Sequence, residues 1–164
     1  MSVDADYCIV PLGDDHRSTV QALIEVSWAG PMIVVDGRLW DTRIMPGFAA
    51  LDAQHTVIGY ICYVLHPDEC EIMVLESLRE NAGIGSRLIE TVKATAQENG
   101  IKKVAAMTTN DNLHALRFYQ KRGFTMRALR PNMLETSRKL KPGIPLLGID
   151  GIPLRDEIEL VLTL

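Results

Sequence analysis

Residues 70–124, CEIMVLESLRENAGIGSRLIETVKATAQENGIKKVAAMTTNDNLHALRFYQKRGF, decide the fold of this 164-residue chain. Cys70 to Leu78 is an apolar stretch of strand length, and after Glu80 the apolar spacing becomes helical. Ile84, Leu88, Ile89, Val92 and Ala96 fall on one face, and Gly100 stands where a helix closes on a left-handed residue. Lys103 to Met107 then reads as a buried strand, Asn112 to Arg122 as a second helix closed by Gly123, and Phe124 to Leu129 as another strand. Strand, helix, strand, helix, strand is the order that builds a parallel crossover, because parallel neighbours need a long connection.

Outward from that stretch the pattern turns antiparallel. Tyr7 to Leu12 predicts a strand, and Asp14 or Asp15 can cap a helix that runs to Ser27 with Val20, Leu23, Ile24 and Ser27 at helical spacing. Trp28 to Pro46 reads as irregular. Gly47 to Asp52 and Thr56 to Leu65 read as paired strands around the polar turn Asp52 to His55, and His66-Pro67-Asp68 turns the chain into Cys70. Arg130 to Gly151 is prolyl and loop-like, whereas Arg155 to Leu164 alternates Ile158, Leu160, Leu162 and Leu164 as a last strand. No repeat or linker divides the chain, so residues 1–164 are expected to form one α+β domain with a mixed, largely antiparallel sheet.

Composition narrows the function classes. At 47% hydrophobic and 23% charged, the chain is neither a disordered tail nor a fibrous repeat. A net charge of −4 gives no global attraction for polyanions, so neither nucleic acid nor an anionic membrane is expected as a partner. Met1 to Val10 carries Asp4 and Asp6 without a basic n-region or an apolar h-region, and no apolar run approaches a bilayer span. Cys8, Cys62 and Cys70 are odd in number and lack CxxC spacing, which suits a reducing, cytoplasmic setting. Charge is uneven: Lys121 to Lys141 holds seven basic residues against Glu135, a net +6, and leaves −10 elsewhere. Such a run is either a solvated face or, in part, a seat for a phosphate or an acidic partner.

Two features carry chemistry. At Glu80-Asn81-Ala82-Gly83-Ile84-Gly85-Ser86 a strand meets a helix, whose free N–H groups are partly positive and whose glycines admit a phosphate to the backbone. A tight turn without a ligand explains the same dipeptide pattern. Leu88 stands where a dinucleotide fingerprint has its third glycine, and no Walker lysine follows. The second feature is Asn112 to Phe124. Ala115, Leu116 and Phe118 there form an inner helix face, and Tyr119 flanks it as either a core-rim tyrosine or a phenol reaching a cleft. His16, His55, His66 and His114 are scattered without ligand spacing, so no metal is expected; Ser86 lacks a GxSxG context. Trp28, Trp40, Tyr60 and Tyr63 either pack in the core or wall a pocket.

Together, strand, GxG, helix, strand and NxxAxxFYxxxGF resemble the GCN5-related N-acetyltransferase (GNAT) superfamily, most strongly from Cys70 to Phe124. The resemblance implies a sheet with a V-shaped splay between neighbouring strands, flanked by helices, and acetyl-CoA as co-substrate. Its Q/R-x-x-G-x-G/A loop aligns with Glu80-Asn81-Ala82-Gly83-Ile84-Gly85, with Glu80 in place of Gln or Arg and Arg79 adjacent as a substitute cation. It further implies that Gly83, Ile84, Gly85 and Ser86 hold the pyrophosphate and that pantetheine adds to the backbone of Met73, Val74 and Leu75 like an extra strand. Asn112 and Phe118 would line the cofactor's arm. Tyr119 would protonate the departing thiolate as general acid.

An amine with a pKa near ~10.4 must lose a proton before it attacks. Glu71 is the first choice of base and Glu76 the second; strict alternation puts Glu69, Glu71 and Met73 on one face and Glu76 on the other. The expected activity is N-acetylation of a small-molecule or peptide amine by direct attack in a ternary complex. The alternatives are a non-catalytic acyl-CoA-binding module and a binder of another nucleotide. Arg155 to Leu164 is expected to offer a free edge for a homodimer.

Overall fold

The computed structural model describes residues 6–164; the part of the Met1 to Val10 reading that falls on residues 1–5 lies outside them. The elements are β1 (Tyr7–Pro11), α1 (Asp14–Trp28), β2 (Met32–Val35), β3 (Arg38–Asp41), β4 (Gly47–Asp52), β5 (Val57–Leu65), β6 (Cys70–Ser77), α2 (Ile84–Glu98), β7 (Lys103–Thr109), α3 (Leu113–Gln120), β8 (Thr125–Arg130), α4 (Met133–Leu140) and β9 (Glu157–Thr163). Seven strands form one sheet in the order β1-β4-β5-β6-β7-β9-β8, in which β6 and β7 are parallel and the other neighbours antiparallel. Strands β2 and β3 form a separate hairpin. The α+β reading and the meander stand as expected.

Each face of the sheet carries its own core. The apolar stripe of α2 packs with α3 on Ile61, Ile72, Val104 and Leu160, and all five α2 stripe residues named above are buried. On the opposite face α1 and the hairpin bury Ile24 and Ile33 against Tyr60, Cys62 and Val74. Among the described residues no helix is long and apolar enough to cross a membrane.

The feature that positions the site is the short pairing of β6 with β7. Only Cys70, Glu71 and Ile72 pair, with Val104, Ala105 and Ala106, although β6 runs on to Ser77 and β7 to Thr109. A bulge accompanies the divergence: Ile72 faces Tyr63 and Val74 faces Cys62 on β5, which leaves Met73 as the extra residue. The bulge also resets the alternation. Glu76 pairs with Tyr60 and therefore shares the α1 face with Glu71, contrary to the period-2 expectation.

Four other expectations are corrected. Trp28 to Pro46 is organised as a hairpin whose Asp36-Gly37 turn has both φ values positive (50° and 68°), the geometry a two-residue hairpin turn requires. Arg130 to Gly151 contains α4. Its Arg138 fastens the following loop by donating to the carbonyls of Ile144, Pro145 and Leu154. Helix α1 has Gly13 at its N-cap without a side-chain bond, and Asp14 and Asp15 lie inside its first turn, where they still favour the helix dipole. Finally, β9 is inserted between β7 and β8, so it offers no free edge; β1 and β8 are the sheet's edges.

Candidate active site

Two left-handed residues, Asn81 (φ 56°) and Gly83 (φ 72°), turn the chain from β6 into α2. Gly83 is the N-cap and supplies no side-chain bond, and among the described residues no protein group accepts from the amides of Gly83, Ile84, Gly85 and Ser86. The start of α2 is therefore a cluster of free donors at the positive end of a helix dipole. From β1, the Tyr7 hydroxyl donates to Ala82 O at 3.3 Å and steadies the loop. Glu80 is exposed, and Arg79 is turned to Asp52 in an ion pair. The cation at the cradle is Arg122 instead: its Nε and Nη2 donate to Ser86 Oγ at 3.0 and 2.6 Å, and its guanidinium lies 3.5 Å over the Phe118 ring. The basic run thus reaches the GxG loop through one residue. Arg122→Ala is expected to weaken binding of inorganic pyrophosphate to this cradle by about fivefold to tenfold, with a shallower salt dependence, checked by calorimetry at two salt concentrations.

Where β6 and β7 diverge, a cavity of about 400 Å³ opens. Met73, Val74 and Leu75 border it from β6, Met107, Thr108 and Thr109 from β7, and Asn112, Ala115 and Tyr119 from the α3 side. Trp28, Ile33 and Glu157 lie on its far wall. A second cavity of about 250 Å³ shares Leu75, Asn112, Ala115 and Tyr119 with the first, and extends to Glu76, His114, Phe118 and Gly85 at the start of α2. The free donors, the gap and the far wall thus lie along one depression.

Tyr119 stands at its waist. It is 7% exposed, edge-on to Phe118 and Phe124, and no described residue hydrogen-bonds its hydroxyl. Burial pushes the phenol's pKa upward, so it stays protonated through the neutral range. The inner face of α3 differs from expectation. Leu116 and Tyr119 are buried, whereas Phe118 is half-buried against Gly85, where a Cβ would come within 2.9 Å of the ring. Asn112 caps α3, its Oδ1 accepting from Ala115 N at 3.0 Å.

The carboxylates are sorted just as plainly. Glu71 borders neither cavity and is hydrogen-bonded to His66 Nε2 at 3.0 Å. Glu76 borders the smaller one and accepts from Ser27 Oγ at 3.0 Å and from the Tyr60 hydroxyl. Glu69 pairs with Arg127. Of the aromatic residues weighed as pocket walls, Trp28 takes that role, whereas Tyr63 stacks on Phe48 in the α2-side core.

Sequence reasoning missed Glu157. It is 3% exposed, opposite Thr109 across the β7–β9 ladder, and its Oε2 accepts from Asp36 N at 3.1 Å. Burial pushes its pKa up to about 7, only partly opposed by that amide. A carboxyl whose proton affinity rises on folding favours the folded state at low pH and loses that advantage as pH climbs. Stability should therefore fall between about pH 4.5 and 7, by at most about 1.4 kcal/mol per pH unit from this group. Glu157→Gln should flatten that slope in urea titrations run across the window.

Residues 25–124 match the acetyltransferase (GNAT) family. The uncharacterized protein YxbD of Bacillus subtilis (strain 168) is 40% identical over 153 residues, which cover 93% of this chain and 96% of that protein. Among solved structures, an IAA acetyltransferase from Bacillus cereus superposes with a TM-score of 0.70 at 20% identity, covering 96% of this chain and 99% of its own. A GNAT family acetyltransferase from Elizabethkingia anophelis with acetyl-CoA bound gives 0.68 at 19% identity, covering 97% and 99%.

Proposed function

The chain belongs to the GNAT acetyltransferase family, and from that premise we propose that it transfers an acetyl group from acetyl-CoA to a primary amine by direct attack in a ternary complex. The observation that carries this reading is the gap between β6 and β7, joined at one end to the free amides of Gly83 to Ser86 and bordered by Tyr119. Beyond Ile72, the β7 side of β6 has no partner strand, so the main chain of Met73 to Leu75 is available to a pantetheine arm. Asn112 and Phe118 border the same depression, and Arg122 adds positive charge at the pyrophosphate end.

Tyr119 acts as general acid. Its hydroxyl, which no described residue engages and which reaches the cavity surface, protonates the sulfur as the thioester carbon–sulfur bond breaks, and takes a proton back from solvent. Cys62 and Cys70 do not serve as acyl carriers, because burial raises their thiol pKa values to about 11 and about 12 and keeps them un-ionised; Cys8 borders neither cavity. Buried reduced thiols also suit the cytoplasmic setting proposed for the protein.

Thermal melts with acetyl-CoA, ATP and NAD test the binding half of the reading. A ligand at a hundred times its Kd stabilises by about 2.7 kcal/mol, so acetyl-CoA should raise the melting temperature and the other two should not. A protein stabilised by acetyl-CoA that acetylates nothing, with Tyr119→Phe indistinguishable from wild type, would be a sensor of the same fold.

A further inference from the structure

Resting on that acyltransferase reading, we infer that Glu157 takes the proton from the acceptor, and that the acceptor is a compact primary amine with an apolar body seated between the β2–β3 hairpin and the gap. The larger cavity extends past the gap to a wall made by Trp28, Ile33, Val35, Met73, Ile144 and Leu154. Four parts of the chain supply it: the end of α1, the hairpin, β6 and the loop after α4. Lys141 fixes that loop, its Nζ donating to the carbonyls of Trp28 and Met32. Apolar walls of this kind favour an apolar body over a polycation or an extended peptide. Within this wall Glu157 is the carboxylate on the cavity, and Lys141, whose ammonium is held by carbonyls, is the cation.

The charges around Glu157 leave it available. Asp36, on the hairpin turn, has its carboxylate paired with Arg130 of β8 at 2.8 Å; it gives Glu157 a backbone amide while its charge repels the Glu157 carboxylate, and Arg130 attracts that carboxylate without bonding to it. Glu159 on the same strand is held by Arg127 and Arg130, and Asp156 by Arg155. Glu71, on β6, is held by His66 and repels the Glu157 charge. Among the described residues Glu157 therefore has no cation in hydrogen-bonded contact, and its Oε1 has no protein donor competing with an incoming ammonium. Together with burial this sets its proton affinity near neutrality, where a base works best.

In the step assigned to it, one N–H bond of the R–NH3+ group breaks. The proton bonds to a Glu157 oxygen, and the electron pair stays on nitrogen as the lone pair that attacks the thioester carbonyl carbon. The carboxyl then releases the proton to bulk water through the cavity mouth before the next turnover. The carboxylate is regenerated and nothing is oxidised or reduced.

Acetylation of phenethylamine, hexylamine and spermidine by wild type, Glu157→Gln, Glu157→Asp and Glu71→Gln tests the inference. Phenethylamine or hexylamine should be preferred to spermidine. On the preferred amine Glu157→Gln should lose at least about 30-fold in kcat/KM together with the acidic limb of the pH profile. Glu157→Asp should recover part of both, and Glu71→Gln should stay within about threefold. An acidic limb that survives Glu157→Gln, equal loss in Glu71→Gln, or a preference for spermidine overturns it. Carbon-13 titration of the Glu157 carboxyl with CoA present supplies a readout without turnover: the preferred amine should lower its midpoint, and no change with any of the three overturns the inference. Failure of the underlying reading is separate, since it appears as absence of stabilisation by acetyl-CoA.

Discussion

Tyr119→Phe should lower acetyl-CoA-dependent turnover by about 10²-fold to 10³-fold while CoA raises the melting temperature as it does for wild type. The substitution removes one oxygen from a ring whose edge-on contacts with Phe118 and Phe124 remain, so packing changes little. The lost group is the hydroxyl at the waist of the depression. A thiolate is a better leaving group than an alkoxide, which places the expected loss toward the lower part of the range for general acid catalysis. Because burial holds the phenol protonated well above neutrality, wild type should show no alkaline loss from this residue, and the deficit of the variant should be the same across the neutral range. Steady-state rates across pH, beside CoA titrations by melting, check it; unchanged turnover removes Tyr119 from the chemistry.

Gly85→Val should destabilise the fold by about 3 kcal/mol and cost CoA affinity at the same time. The glycine is needed less for its backbone angles than for space: its added Cβ would lie 2.9 Å from Phe118 Cζ and 3.1 Å from Cε2, before the two further methyl groups of valine. Gly85 and Phe118 belong to the two motifs read separately in the sequence, and they touch. Phe118 cannot retreat freely, since Arg122 covers its face and Tyr119 its edge. In a double-mutant cycle with Phe118→Leu, urea denaturation should show the pair destabilised by at least about 1 kcal/mol less than the sum of the single variants. Strict additivity would mean that the ring is not what excludes a side chain at this position.

How much of this was legible follows from the range of the forces involved. The α2 stripe, the αL closure at Gly100 and the Gly83 loop are local patterns, and each appears where the residues put it. The β2–β3 hairpin was also written locally, in Asp36-Gly37 between Val35 and Leu39, but its strands of four residues are too short for alternation to declare itself. Helix α4 was obscured by Pro131 and Pro142 on either side of it. The face of Glu76 depends on a bulge one turn of the pleat earlier, which a period of two cannot register. Glu157 is the clearest case of a residue hidden from the sequence, because a glutamate beside alternating leucines reads as a solvated face. What buries it is the tip of a hairpin more than a hundred positions away.

Three paired residues on each strand are the whole main-chain ladder between β6 and β7, and the core under α2 spans both sides of it. As a ladder the sheet is two leaves on a narrow spine, and the missing rungs lie where a guest main chain could supply them. A molecule lodged there would complete the ladder and brace the leaves against each other in one act. Tightness of binding and stiffness of the sheet then become a single quantity, and the apo protein is the softer of two forms before any loop has moved.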